Sequence, residues 1–214
     1  MATTAKERIL KKIRKALTQQ TPQPFPNVEG TNPVFQPQND DLEIIFAEQF
    51  TAIQGSFIYC ESEAEFIGNL NALVEEKNWN NLFGWETELQ QLFQRHNSDR
   101  LRIGRNLDRA DVGVTLCEAL VARTGSILLS SRQQSGRSLS IFPPIHICVA
   151  YTSQLVYDMK EALQNITQKY EGSAPSLVTL ATGPSRTADI EKTLVLGAHG
   201  PKEVYVFLID SNAQ

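Results

Sequence analysis

The chain has 214 residues, 41% of them hydrophobic and 21% charged, with a net charge of −4. That is the balance of an ordinary globular protein with room for one sizeable core. It argues against general nucleic-acid binding; the chain has no apolar run of the ~18 residues a membrane span needs, and its N-terminus lacks the apolar core of a secretory signal.

Residues 1–20 carry Lys6, Arg8, Lys11, Lys12, Arg14 and Lys15 against Glu7 alone. The local net charge is +5, so the remainder carries −9 of the overall −4. Ile9, Leu10, Ile13, Ala16 and Leu17 recur at helical spacing, which predicts a basic amphipathic helix. Its stripe would pack on the body, on a neighbouring subunit in a homo-oligomer, or on an acidic partner. Residues 21–40 follow as a linker holding five of the ten prolines. Proline lacks an amide donor and disfavours helix in the residue before it, so this segment should be extended.

The domain proper is expected over 41–214. Asp40 and Glu43 resemble a capping box, with Leu42, Ile45, Phe46, Phe50 and Ile53 as a helical stripe and Gly55 as its stop. "SFIYC" reads as a strand. Ser62 and Glu65 open a second helix with Phe66, Ile67, Leu70, Leu73 and Val74. "NLFGW" reads as a strand, "ETELQQLFQRH" as a helix, "ADVGVT" as a strand, "LCEALVA" as a helix and "SILLSS" as a strand. "SLSIFPPIHICVAY" is a longer extended segment. Thr152 or Ser153 would cap a helix carrying Leu155, Val156, Met159, Leu163 and Ile166. "SLVTLAT" and "EVYVFLID" are apolar strands, and the segment between them, "TGPSRTADIEKTLVLGAHGP", reads as one helix between two Gly-Pro turns. Strands alternating with helices predict an α/β fold with a largely parallel sheet flanked by helices.

Two polar stretches are candidates for binding. In the first, a strand would lead through Gly183 into a helix whose free amides favour anions. Ser185 or Thr187 would cap it or donate to an oxyanion, Arg186 would grip a carboxylate or phosphate, and Asp189 would complement the dipole. The same residue types also suit a plain helix cap with a solvated arginine. In the second, Thr124, Gly125 and Ser126 form a tight turn into a strand. Arg123, Arg132 and Arg137 lie near it, as an anion cradle or as solvated cations on a hairpin. His146 on its strand reads as a site residue or as a hydrogen-bonded structural one. His199 would bond the last carbonyls of the helix or face the site. No Walker A, GxGxxG or HExxH pattern is present. The three cysteines, Cys60, Cys117 and Cys148, form no CxxC pair, so no metal site is expected and the thiols read as buried in a reducing cytoplasm.

The runs "ARTGSILLSS", "FPPIHICVA" and "TGPSRTADIEKTLVLGAHGPKEVYVFLID" resemble the LUD-domain family of the lactate-utilization protein C type, over about residues 110–210. The basic helix and proline-rich linker are similar to that family's N-terminal region. The resemblance implies a fold akin to the ribose-5-phosphate isomerase and CoA transferase-like group, with an N-terminal helical appendage. It implies a part in bacterial oxidation of L-lactate to pyruvate beside iron–sulfur partner proteins. Many relatives have an acidic residue where this chain has Arg123, so a carboxylate role does not carry over there. Three scattered cysteines are fewer than the four thiolates a cluster usually takes, so the clusters are expected on partners. The leading expectation is a cytoplasmic accessory or ligand-binding component that takes a small anionic metabolite. Its site would be drawn from Thr124, Gly125, Ser126, Arg137, His146, Gly183, Ser185, Arg186, Thr187, Asp189 and His199. The alternatives are a stand-alone enzyme on a phosphorylated or CoA-linked metabolite, and a non-enzymatic scaffold.

Overall fold

The computed structural model describes residues 5–18, 41–104, 106–188, 194–197 and 199–211. The chain divides into two units, residues 1–38 and 39–214. In the first, the predicted basic helix is α1 (Ala5–Thr18), with Glu7 in its first turn and Lys15 in its last, both complementing the helix dipole. The proline-rich segment and Asp40 lie outside the described residues.

The second unit opens with α2 (Leu42–Ala52), followed by β1 (Ser56–Cys60), α3 (Glu63–Lys77), β2 (Leu82–Phe83), α4 (Thr87–Arg95), β3 (Leu101–Arg102) and β4 (Val112–Thr115). Then come β5 (Ala119–Val121), β6 (Ser126–Ser130), β7 (Ile145–Tyr151), β8 (Leu155–Val156), α5 (Met159–Lys169), β9 (Val178–Ala181), β10 (Arg186–Ala188), β11 (Leu194–Leu196) and β12 (Glu203–Ile209). Six strands form one sheet in the order β1-β12-β7-β4-β2-β3. All five neighbouring pairs are parallel. The expected α/β architecture with a largely parallel, helix-flanked sheet is therefore present.

A parallel sheet needs both faces covered. On one face α3 and α4 bury Phe66, Leu70, Val74, Leu89, Leu92 and Phe93 against Val112, Val114, Ile147, Val149 and Phe207. On the other, α2 places Ile45, Phe46 and Phe50 against Val204, Val206 and Leu208. That face is shared with a second sheet of order β8-β5-β6-β9. Leu120, Ile127 and Leu129 of this second sheet face the same core as α2. Its far side packs Ala119, Val121 and Leu128 on Ala162 and Ile166 of α5. Fully buried side chains such as Phe46, Phe50 and Phe207 each contribute about 1.5–3 kcal/mol of transfer free energy.

The cap before α3 forms as expected. Ser62 Oγ accepts the Glu65 amide and Glu65 Oε2 accepts the Glu61 amide. At α2 the N-cap is Asp41, whose side chain makes no capping bond.

Three expected elements differ. "LCEALVA" supplies β5, not a helix: Leu120 points to one core while Ala119 and Val121 point to the other, a two-residue period. "SLSIFPPIHICVAY" is extended only from Ile145, because Pro143 and Pro144 cannot donate to a ladder and residues 138–142 turn instead. Leu155 and Val156 belong to a strand beside β5, and the following helix is capped at Asp158. The fourth difference matters most for function. The supposed helix after Gly183-Pro184 is an antiparallel pair, with Arg186 opposite Leu196, Thr187 opposite Val195 and Ala188 opposite Leu194. Its two ends are tied across the base, since Ser185 donates to the Pro201 carbonyl and Gly197 donates to that of Ser185. The threonine of β10 and the valine of β11 favour this extended state, whereas a short isolated helix nucleates poorly. The strand before it, β9, is also not a buried parallel strand; it pairs antiparallel with β6 at a sheet edge.

Candidate functional site

In open parallel sheets, ligands lie beyond the carboxyl ends of the strands, where neighbouring strands send their connections in opposite directions. Here that point falls between β2 and β4. β2 leads through α4 to β3 on one side, while β4 leads through β5 and β6 to β7 on the other. The two exits bring Glu86, Thr87 and Glu88 beside Leu116 and Cys117, and a cavity of about 370 Å³ opens there. Arg132, Gln133 and Gln134 after β6, Tyr151 and Gln154 after β7, and Lys169 and Tyr170 from the end of α5 complete its lining. Two further cavities, of about 650 and 220 Å³, open around the same Tyr151.

Glu86 is the N-cap residue of α4 yet makes no side-chain cap. The Thr87 amide is taken by Gln134 Oε1 at 2.6 Å. Its residue is only 5% exposed. Oε1 accepts the Leu116 amide at 3.3 Å, while Oε2 is buried without a hydrogen-bond partner among the described residues. Burial pushes the carboxyl above its ordinary range, and nearby Ser135 and backbone amides offset this only in part. A second carboxylate, Glu118, is treated in the opposite way. Its side chain is 1% exposed, but Lys169 Nζ lies 2.8 Å from Oε2. Ser130 and Tyr170 donate to Oε1 at 2.5 and 2.7 Å. Burial opposes its ionisation, but these donors outweigh burial and hold it below the usual range. Arg132 donates to the Ser173 carbonyl at 3.1 Å and to its hydroxyl.

The larger cavity is centred on Glu63, the first residue of α3. Arg95 reaches both its oxygens at 2.8 Å, Tyr151 donates at 2.9 Å, and His96 lies 3.4 Å away. Burial again works against ionisation, and the donors again prevail, so Glu63 is held low. This cluster is internally satisfied.

Of the residues singled out in the sequence, Arg132 lines this cleft, and the others do not converge on it. Thr124, Gly125 and Ser126 lie in the β5–β6 turn, with Ser126 Oγ bonded to Thr124 and Thr182. Gly125 has φ +58°, and a Cβ there would stand 2.5 Å from the Phe50 amide nitrogen of α2. Arg186 donates to the Ile53 carbonyl at 2.7 Å, and a Cβ at Gly183 would stand 2.7 Å from that same oxygen. These residues therefore gather around the end of α2. Arg137 bonds Ser176 at the surface. His146 is fully buried on the α2 side of β7, with Nε2 2.9 Å from Thr115 Oγ1 and Nδ1 unpartnered; burial lowers its pKa to about 4. Ser185 contacts Gly200, and His199 lines a surface cavity with Ile141 and Phe142. That cavity is at the amino ends of β7 and β12, since Lys202 donates to the Pro144 carbonyl just before both strands begin. Thr187 lies in β10, and Asp189 falls outside the described residues. Arg123 lies 3.3 Å from Asp158, so its charge is matched locally. Among the described residues no three His, Cys, Asp or Glu side chains group as metal ligands, and no helix is long and apolar enough to cross a membrane.

Sequence reasoning missed Glu86, Glu118, Lys169, Tyr170 and the Glu63 cluster. A signal did exist for Glu86: "NLFGWETEL" places it between a short strand and a helix.

Fold and cleft together define a layered α/β domain with a polar cleft at the switch point of its parallel sheet. The LUD domain family model matches residues 44–209, and the chain belongs to that family. Lactate utilization protein C of Shouchella clausii is 30% identical over 80% of this chain and 80% of its own length. Lactate utilization protein C of Macrococcus caseolyticus is 28% identical over 94% of each. The crystal structure of a DUF162 family protein from Deinococcus radiodurans has the same fold, with a TM-score of 0.60 and 21% identity over 81% of this chain and 99% of that one.

Proposed function

We propose that this chain serves lactate utilization as a ligand-binding or accessory component of an L-lactate-to-pyruvate oxidation system, with the β2–β4 cleft as its metabolite site. The observation that carries this reading is the alignment with proteins named lactate utilization protein C along most of the chain's length. The cleft supports it: cations, amides and the buried carboxyl of Glu86 line the position where α/β sheets bind metabolites, and Glu118 holds two of the lining residues, Lys169 and Tyr170. Oxidation of lactate to pyruvate releases two electrons. With three cysteines in the sequence, against the four thiolates usual for one cluster, iron–sulfur partner proteins are the expected carriers. The cytoplasm is the compartment this implies.

The test is a thermal-shift titration of the purified chain with L-lactate and pyruvate, alone and with candidate iron–sulfur partners. Ligand at a hundredfold excess over Kd stabilises by about 2.7 kcal/mol, a rise of roughly 5–10 °C for a domain of this size. Lactate-dependent dye reduction should need the partners. Robust oxidation by the isolated chain would overturn the accessory reading. A second reading, an enzyme on a phosphorylated or CoA-linked metabolite, is favoured by cavity volume, since about 370 Å³ falls in the range for ligands much larger than a three-carbon acid. Coenzyme A and sugar phosphates therefore belong in the same titration.

A further inference from the structure

Glu86 is the one carboxylate lining the β2–β4 cavity with a buried oxygen that nothing satisfies among the described residues. The groups that face the cavity come from every element around it. α4 supplies Glu88, the chain after β4 supplies Cys117, the loop after β6 supplies Arg132, β7 ends in Tyr151, and α5 ends in Lys169 and Tyr170. Glu118, next to Cys117, already binds Lys169, Tyr170 and Ser130. Lys169 is committed to Glu118, so it offers Glu86 no counter-charge. Arg132 gives one nitrogen to Ser173 and has no carboxylate within ion-pair distance among the described residues. The cavity thus holds two complementary open valences: a buried acid with one free oxygen, and a cation without a counter-ion.

An ionised Glu86 would sit buried with no counter-charge among the described residues, and Ser135 and the nearby backbone amides offset that cost only in part. As a neutral acid it accepts from Leu116 through Oε1 and carries its proton on Oε2, within the cavity wall that Glu86 helps to form. A ligand that suits both groups is itself an anion with acceptor oxygens. We propose that the cleft binds a small organic carboxylate, with Glu86 as a neutral acid donating from Oε2 to a ligand oxygen and Arg132 supplying the counter-charge. This deepens the reading of the cleft as the metabolite site and rests on it. One consequence is specific. Binding should be tightest while Glu86 holds its proton and should weaken as pH rises through its folded pKa, up to about tenfold per unit beyond it.

The experiment is calorimetric titration of the full chain with L-lactate, pyruvate, malonate and succinate at a series of pH values from the ordinary carboxylate range upward, because burial raises the Glu86 carboxyl. Glu86→Gln keeps an acceptor for Leu116 and a donor in place of Oε2–H, so it should bind with an affinity that no longer depends on pH. Glu86→Leu and Arg132→Gln should each weaken binding by about ten- to a hundredfold. Arg100→Gln, which removes only the surface pair with Glu75, should leave binding unchanged. Urea unfolding of each variant separates loss of fold from loss of site. Binding of malonate or succinate with this pattern, but not of lactate or pyruvate, would sustain the proposal and sink the lactate assignment. Binding of any of the four that Glu86→Gln abolishes at every pH would show an ionised Glu86 and overturn the proposal. Binding indifferent to Glu86 and Arg132 would overturn it too while leaving a carboxylate site elsewhere, and no binding by the wild-type chain would refute both.

Discussion

Gly125 was drawn from the sequence as a ligand-binding candidate in a tight turn; in the fold it is α2 that approaches it. Replacing it with alanine should incur two separate costs. At φ +58° a Cβ adds about 1–2 kcal/mol of left-handed strain. The new carbon would also stand 2.5 Å from the Phe50 nitrogen, 2.7 Å from the Gln49 carbonyl carbon and 2.8 Å from the Phe50 Cα. All three are backbone atoms in a helix and cannot rotate away. Overpacking of that kind costs about 1–3 kcal/mol. Gly136→Ala is the internal control, because φ is +65° there but nothing lies within 4 Å of the added carbon, so strain alone applies. Urea unfolding should therefore show Gly125→Ala about 2–5 kcal/mol less stable than wild type, and Gly136→Ala about 1–2 kcal/mol less stable. Equal losses in the two variants would refute the contact with α2. Unchanged stability with lost ligand affinity in Gly125→Ala would restore the ligand reading.

His146, fully buried, has its pKa lowered to about 4, below the unfolded value. The unfolded chain then binds the extra proton between about pH 6.5 and about pH 4, so stability falls as pH drops through that window, by about 3 kcal/mol in all; His146→Asn should flatten this slope in unfolding curves at pH 7 and pH 5. Tyr170→Phe removes a donor from ionised Glu118 and should cost about 1.5–3 kcal/mol at pH 7. Because Glu118 is held low, that stabilisation is present above the unfolded carboxyl range and should disappear as pH falls through the folded pKa. Arg186→Ala breaks the bond to the Ile53 carbonyl and should lower the melting temperature by a few degrees, about 1 kcal/mol, without changing the affinity of any cleft ligand.

The limits of pattern reading show at particular residues. Phe66, Ile67, Leu70 and Val74 keep helical spacing because one face of α3 is buried, and Ser62 with Glu65 marks its start; periodicity and caps are local, so they are written in the chain. "LCEALVA" misleads because a strand buried on both faces loses the polar alternation that would mark it. "PSRTADIEKTLVLG" misleads because its pairing is fixed by backbone bonds among Ser185, Gly197 and Pro201, which leave no mark in the spacing of side chains. Thr124, Ser126, Gly183 and Arg186, read as two candidate anion sites, lie around the end of α2, because the turn chemistry that cradles anions also clamps the end of a helix.

By itself, the sequence determined the α/β class, the basic N-terminal helix, most helices and strands of the domain, and the family likeness. The first three follow from local spacing and composition; the likeness rests on the matching runs of residues quoted above. Only the tertiary structure decided which strands are neighbours, and hence that the switch point lies between β2 and β4. It alone brought Glu86, thirty residues before Leu116 in the chain, within 3.3 Å of the Leu116 amide. It also gave Glu86 and Glu118 opposite protonation tendencies: burial and the number of donors around a carboxylate depend on packing between distant segments, and identical glutamates in the sequence carry no mark of either.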